Sequence, residues 1–123
     1  MMFISQDKPL GRYTIQSYAK GQITVNEIIY KKSLLLTPET LVENCEVHSI
    51  SDINDETLKP LLAYEPEVFL LGVGDTSLFP SPSQFKILIE HQIGYEVMTL
   101  ASACYTFNVL SSEERKVVAG FIL

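Results

Sequence analysis

The residues whose types and spacing suggest chemistry cluster in the second half of the chain. Gly72-x-Gly74 follows an apolar run, an arrangement in which backbone N–H groups can approach an anion. Asp75 follows directly and would repel a phosphate. A dinucleotide fingerprint also needs a third glycine opening a helix. Here Asp75-Thr76-Ser77 and a Pro-rich loop stand in its place, so the alternative reading is a tight strand exit. Gly72, Gly74, Asp75, Thr99, Thr106 and Asn108 form a candidate cleft, because ligand clefts in open α/β sheets lie beyond the carboxyl ends of the strands. Arg115 is a further candidate for that edge. The competing reading gives Thr106 and Asn108 to local backbone capping.

Other reactive residues point to structural roles. Glu96 lies between apolar residues of a predicted strand, where a buried carboxylate needs a partner; Arg115 is expected to supply it in a structural ion pair. Cys104 falls on a predicted helix, and a nucleophilic thiol needs a nearby histidine or cationic field. His48 and His91 are distant in sequence, and neither has a second ligand at i+3 or i+4, so no metal site is expected. Cys45 and Cys104 show no zinc spacing and read as two reduced thiols. No cofactor is expected.

These residues need a scaffold, and 123 residues with 46% hydrophobic and 20% charged content suffice for one globular domain over residues 1–123. The net charge of −6 disfavours nucleic acid as a partner. No apolar run approaches the ~20 residues that span a bilayer, so no membrane insertion is expected. Met1 to Arg12 lacks the pattern of a secretory signal. A cytoplasmic protein is the resulting expectation.

Along the chain, residues 13–18 alternate, Lys20-Gly21 offers a turn, Gln22 to Val25 resumes an extended pattern and Asn26-Glu27 turns again. Ile28 to Leu36 is β-branched and apolar. Together they predict a β-meander. A short strand is possible near residues 47–51. Carboxylates over Ser51 to Glu56 introduce a short helix carrying Leu58, Leu61 and Leu62, with Pro60 in its first turn and its end before Pro66. Val68 to Val73 is apolar throughout, the mark of a strand covered on both faces. Ser81, Pro82 and Gln84 form a capping-box start, with Phe85, Leu88 and Ile89 as the buried stripe and Gly94 as terminator. Tyr95 to Met98 predicts a parallel strand, residues 101–113 a helix with Cys104 and Phe107 inward, and Val117 to Leu123 a last buried strand.

Gly72-Val73-Gly74, Glu96-Val97-Met98, the run Ala103-Cys104-Tyr105-Thr106-Phe107-Asn108-Val109-Leu110 and Glu113-Glu114-Arg115 together resemble the MTH-type domain family. That family was long catalogued as of unknown function and includes mitochondrial complex I assembly factor three and an adipogenesis-associated protein. Tyr18, Gly21, Asn26, Tyr30, Ser33-Leu34-Leu35 and Pro38 agree with it. The resemblance implies a three-layer α/β fold with a mixed central sheet, its last strand antiparallel to the others, plus an N-terminal β-hairpin region. It brings no established activity. Three positions depart from the family pattern: Thr99-Leu100 replaces a common Asp-Thr, Tyr105 replaces a common Arg, and Glu27 stands where the turn has glycine, so a positive φ there is costlier.

Two functions follow. The first is a protein-interaction or assembly-factor-like module, with an unidentified protein partner and exposed loop aromatics such as Phe79 or Tyr64 on its working surface. The second is a small-molecule-binding protein or enzyme using the cleft near Gly74, Thr106 and Asn108. A homo-oligomer is compatible with either.

Overall fold

The computed structural model describes residues 12–43, 45–74 and 79–123. Asp75 therefore lies outside the described residues, as does nearly all of the N-terminal stretch in which no signal was expected. The first three strands, β1 (Ile15–Ala19), β2 (Gln22–Val25) and β3 (Ile28–Tyr30), form an antiparallel meander in the order β1-β2-β3, as the alternation predicts. The β2–β3 turn is the two-residue type with both centres left-handed: Asn26 has φ 47° and Glu27 φ 72°. Asn26 suits its place, since its side chain accepts the Thr14 N–H at 2.9 Å and donates to the Arg12 carbonyl at 3.1 Å. Among the described residues the Glu27 side chain makes no such bond, while its backbone N–H donates to Gln16 Oε1 at 2.7 Å.

The apolar run 28–36 is not one strand. It bends after Tyr30, and β4 (Leu34–Leu36) leaves the meander for a second sheet. Ser33 sits at the crossing, with its Oγ accepting the Leu123 N–H at 3.3 Å. The second sheet contains β5 (Leu41–Val42), β4, β8 (Val117–Ile122), β6 (Val68–Val73) and β7 (Gly94–Thr99), in the order β5-β4-β8-β6-β7. The last strand is not antiparallel to the others. β8 runs parallel to β6, β6 runs parallel to β7, and the antiparallel members are β4 against β8 and β5 against β4. The helix between β7 and β8 returns the chain to the same end of the sheet, which fixes β8 parallel to its neighbour.

β6 is buried along its length except at Val68, as an interior strand should be. Its even positions face α3 (Leu100–Ser112), and its odd positions face the shorter helices α1 (Asp55–Leu58) and α2 (Lys86–Glu90). Helices thus cover both faces of the mixed sheet. Leu70, Ala119, Phe121, Ala103 and Phe107 share one core with Ile15, Ile23 and Val25 of the meander. Phe69, Leu71, Val118, Leu58, Leu61, Phe85 and Leu88 share the other.

The second face departs most from expectation. No strand forms at residues 47–51, because Asp52 Oδ2 accepts the N–H groups of His48 and Ser49 at 2.9 and 3.2 Å and folds the segment into a 3₁₀ turn, Ile50–Asp52. α1 is capped by Asn54, whose Oδ1 accepts the Thr57 N–H at 2.9 Å. It gives way to a 3₁₀ segment, Lys59–Tyr64, where Pro60 removes a donor. Before α2, Gln84 Oε1 accepts the Ser81 N–H at 2.8 Å, as the capping box requires, but the first turn is 3₁₀ over Pro82–Phe85. Ile89 is exposed, and Ile87 packs on the core instead. The left-handed residue ending α2 is Gln92, φ 60°, while Gly94 opens β7.

A left-handed residue with a Cβ costs about 1–2 kcal/mol. Glu27→Gly is therefore expected to stabilise the protein by about 1 kcal/mol, read as a raised midpoint in urea denaturation. A neutral or destabilising result would contradict the strained turn.

Candidate functional site

The five described cleft residues, Gly72, Gly74, Thr99, Thr106 and Asn108, do not converge. Gly72 lies within β6, buried, and an ideal Cβ there would stand 2.7 Å from the Ala103 Cβ and 3.1 Å from Phe121 Cδ1. Glycine at this position lets α3 seat directly on the sheet. Gly74 is exposed at the strand exit, with open space around it. Thr99 is the N-cap of α3, and its Oγ1 accepts the Ser102 N–H at 3.2 Å. Thr106 and Asn108 lie seven and nine residues further along α3. At ~1.5 Å per residue they are roughly 10–14 Å from that cap.

Asn108 is bound to the meander. Its Nδ2 donates to the Ile15 carbonyl at 2.7 Å, and its Oδ1 accepts the Ile15 N–H at 3.0 Å. One side-chain amide thus replaces a missing ladder partner for β1. Arg12 reinforces the joint from the other side. One guanidinium nitrogen donates to the Ser111 carbonyl at 2.9 Å and to its Oγ at 3.0 Å, and the other reaches Glu39 at 3.1 Å. A cation at the last turn of a helix also opposes the helix dipole. Sequence reasoning did not single out Arg12.

The Glu96–Arg115 pair does not form. β7 is an outer strand of the sheet, so Glu96 is exposed and needs no partner. Arg115 instead bonds Glu67, Nε to Oε1 at 2.7 Å. The hydrogen bond from Arg115 holds the Glu67 carboxyl below the usual carboxylate range, and Glu67 raises the guanidinium in turn. Both side chains are about half exposed, so the pair contributes modestly. It joins the amino ends of β6 and β8, the opposite end of the sheet from Gly74 and Thr99.

Cys104 is buried on α3, and burial pushes its thiol up to about 11; burial also raises Cys45. At neutral pH both are thiols, which are poor nucleophiles. His91 Nδ1 lies 2.9 Å from the Ile87 carbonyl of its own helix, and His48 is on an exposed loop. Among the described residues, no three His, Cys, Asp or Glu side chains are grouped to hold a metal.

Two hollows stand out among the described residues, and sequence reasoning missed both. The larger, about 530 Å³, lies on the α1 side of the sheet over β4, β8 and β6. Its one signal in the sequence is Gly120, a glycine inside a buried strand. The smaller, about 380 Å³, lies by the amino end of β8 and includes Arg12, Tyr64, Arg115 and Lys116. None of the five described cleft residues lines either one.

The architecture defines a three-layer α/β domain with a meander clamped to its longest helix. The chain belongs to the family described as "Protein of unknown function (DUF498/DUF598)", which it matches over residues 15–122. The chain is 32% identical to the Danio rerio "NADH dehydrogenase [ubiquinone] 1 alpha subcomplex assembly factor 3", covering 97% of this chain and 69% of that protein. It is 27% identical to the Francisella tularensis "13 kDa major membrane protein", covering 95% and 96% respectively. The chain spans only 51% of the Drosophila melanogaster assembly factor and 65% of the Bos taurus one. A Xanthomonas campestris protein solved by NMR superposes with a TM-score of 0.82 at 35% identity, covering 94% of this chain and 92% of its own. A Bordetella pertussis protein described as a Mth938-like domain shares the fold, at 24% identity and a TM-score of 0.76 over 98% of this chain and 91% of its own. The resemblance to the MTH-type family is thereby borne out.

Removing the Asn108 amide leaves two backbone groups of Ile15 without partners. Asn108→Ala is expected to cost about 2 kcal/mol, with Asn108→Asp, which keeps the acceptor and loses the donor, also destabilised. Urea denaturation of both variants checks this. A stability for Asn108→Ala within about 0.5 kcal/mol of wild type would return Asn108 to the list of ligand-binding residues.

Proposed function

We propose that the chain is a one-domain protein-interaction module of the assembly-factor kind, acting in the cytoplasm on a protein partner. The relatives named as complex I assembly factor 3 support this reading, since the match to the Danio rerio protein runs through 97% of this chain. The observation that carries it is Phe79. It stands 67% exposed in the loop that follows the carboxyl end of β6. A phenylalanine held in water at a loop contributes nothing to the core, and aromatics are the residues that anchor protein interfaces. Tyr64, the other aromatic singled out from sequence, is partly buried against the second core cluster and is the weaker anchor. Tyr105, 72% exposed on α3, is the stronger second.

No helix among the described residues is long and apolar enough to cross a membrane. The reading as an enzyme or binding protein at the carboxyl-end cleft is less well supported, because Gly72 and Asn108 are occupied in packing and pairing.

Phe79→Ala is expected to leave the melting temperature unchanged and to lose the partner that the tagged wild type retains from native lysate, scored by quantitative mass spectrometry. A partner retained equally by the Phe79→Ala protein would remove Phe79 from the interface. A partner lost by Phe79→Ala and kept by Tyr64→Ala is the result expected.

A further inference from the structure

The larger hollow is a consequence of how unevenly the sheet is covered. α3 provides 13 residues on one face, whereas α1 has four and α2 has five on the other. α2 covers the β6–β7 side, where Phe85 stacks on Tyr95 with centroids 4.1 Å apart. The β4–β8 side is left to irregular chain between β5 and α1. Val47, Ile50 and Ile53 of that cover pack on the second core cluster, and side-chain bonds tie it to the chain around α1 and α2. Gln84 Nε2 donates to the carbonyls of Ile50 and Ile53 at 2.9 Å each, and Asp55 Oδ1 accepts the Ile87 N–H at 3.1 Å.

Under the cover, Gly120 presents no side chain. A Cβ there would meet Phe69 Cζ at 3.2 Å and Leu71 Cδ1 at 3.6 Å. The Phe69 ring therefore lies across Gly120, and the floor is that ring with Leu35 and Leu71 beside it, while the roof includes Leu58 and Leu61. A volume of about 530 Å³ falls within the ~300–1,000 Å³ of small-molecule sites, and such sites combine apolar walls with a few placed polar groups.

The polar groups here have one sign. The charged side chains lining the hollow are Glu46 and Glu56, both exposed. Lys32 and Lys59 adjoin lining residues in sequence, but neither is part of the wall. Deeper in, Ser33 is 9% exposed, and among the described residues its Oγ makes one hydrogen bond, as acceptor from Leu123 N–H. Its O–H remains available to the hollow. Among the described residues, a carboxylate or phosphate head would meet two carboxylates and no cation. An ammonium head meets the opposite charge while its apolar body fills the walls.

We propose that this hollow is a binding site for a small apolar amine: a hydrocarbon body lodged against Phe69, Leu35 and Leu61, and a cationic head at Glu46 and Glu56. The site is independent of the protein-interaction surface at Phe79.

The test is titration calorimetry of the whole chain with decyltrimethylammonium, decanol and decanoate, each below its micelle-forming concentration. One-to-one binding of the cation, at least about tenfold tighter than decanoate, is expected, with amide shifts localised to Gly120 and Cys45 in heteronuclear NMR. Val42 lines the mouth and is 37% exposed on an outer strand, so Val42→Trp should close the hollow, keep a cooperative melt and abolish binding. The double variant Glu46→Gln, Glu56→Gln leaves the walls intact; it should retain decanol and lose the preference for the cation. Decanoate binding as tightly as the cation, a cation preference surviving the double variant, or amide shifts elsewhere would each overturn the proposal.

Discussion

The fold depends on the contact between Gly72 and Ala103. β6 is the strand on which both parallel pairings rest, and α3 must lie flat on it to carry the chain from β7 back to β8. The ideal Cβ position at Gly72 is 2.7 Å from Ala103, so any side chain there would lift the helix. Interiors are packed too closely to absorb such a shift locally. α3 in turn holds the meander, through the Asn108 amide on Ile15 and through Arg12 on the last turn. One glycine therefore seats the helix to which the smaller sheet is tied.

The same arrangement distributes order unevenly. On the α3 face a long helix and a clamped sheet share a continuous core. On the opposite face two short helices, each interrupted or preceded by a 3₁₀ turn, cover only part of the sheet. The residues that depart from a purely structural pattern are on or beside that incompletely covered face: Gly120 beneath it, Glu46 and Glu56 at its margin, and Phe79 on the loop leading to α2. Loops carried by a rigid scaffold are where binding residues concentrate.

Elements with strong periodicity or continuous apolar runs were legible in the sequence. β1, β2, β6, β7, α3 and β8 all appear where alternation, burial or helix-forming composition put them. The strained Asn26-Glu27 turn was legible as well, because the turns favoured in two-residue hairpins need a positive φ at one or both centres. What escaped was decided by tertiary partners. Nothing local says that residues 28–36 divide between two sheets. Nothing local says that β7 is an outer strand, and that position is what exposes Glu96 and frees Arg115 for Glu67. Local side-chain bonds from Asp52 displaced the short strand near residue 50. The cleft residues were drawn together on the assumption that strand ends converge, but Asn108 was already engaged by the meander and Gly72 by α3. The hollow beside Phe69 lies under irregular chain and short helices, which no periodicity reports.

The central claim is that Gly72 is a packing residue that seats α3, and the exposed Gly74, two positions on, provides the internal control. Urea denaturation of Gly72→Ala and Gly74→Ala tests it most directly. The account predicts a loss of about 1–3 kcal/mol for Gly72→Ala from overpacking, and a change within about 0.5 kcal/mol for the exposed Gly74→Ala. Equal stabilities for the two variants would contradict it, and the two glycines would then be better understood together, as parts of a strand-exit loop.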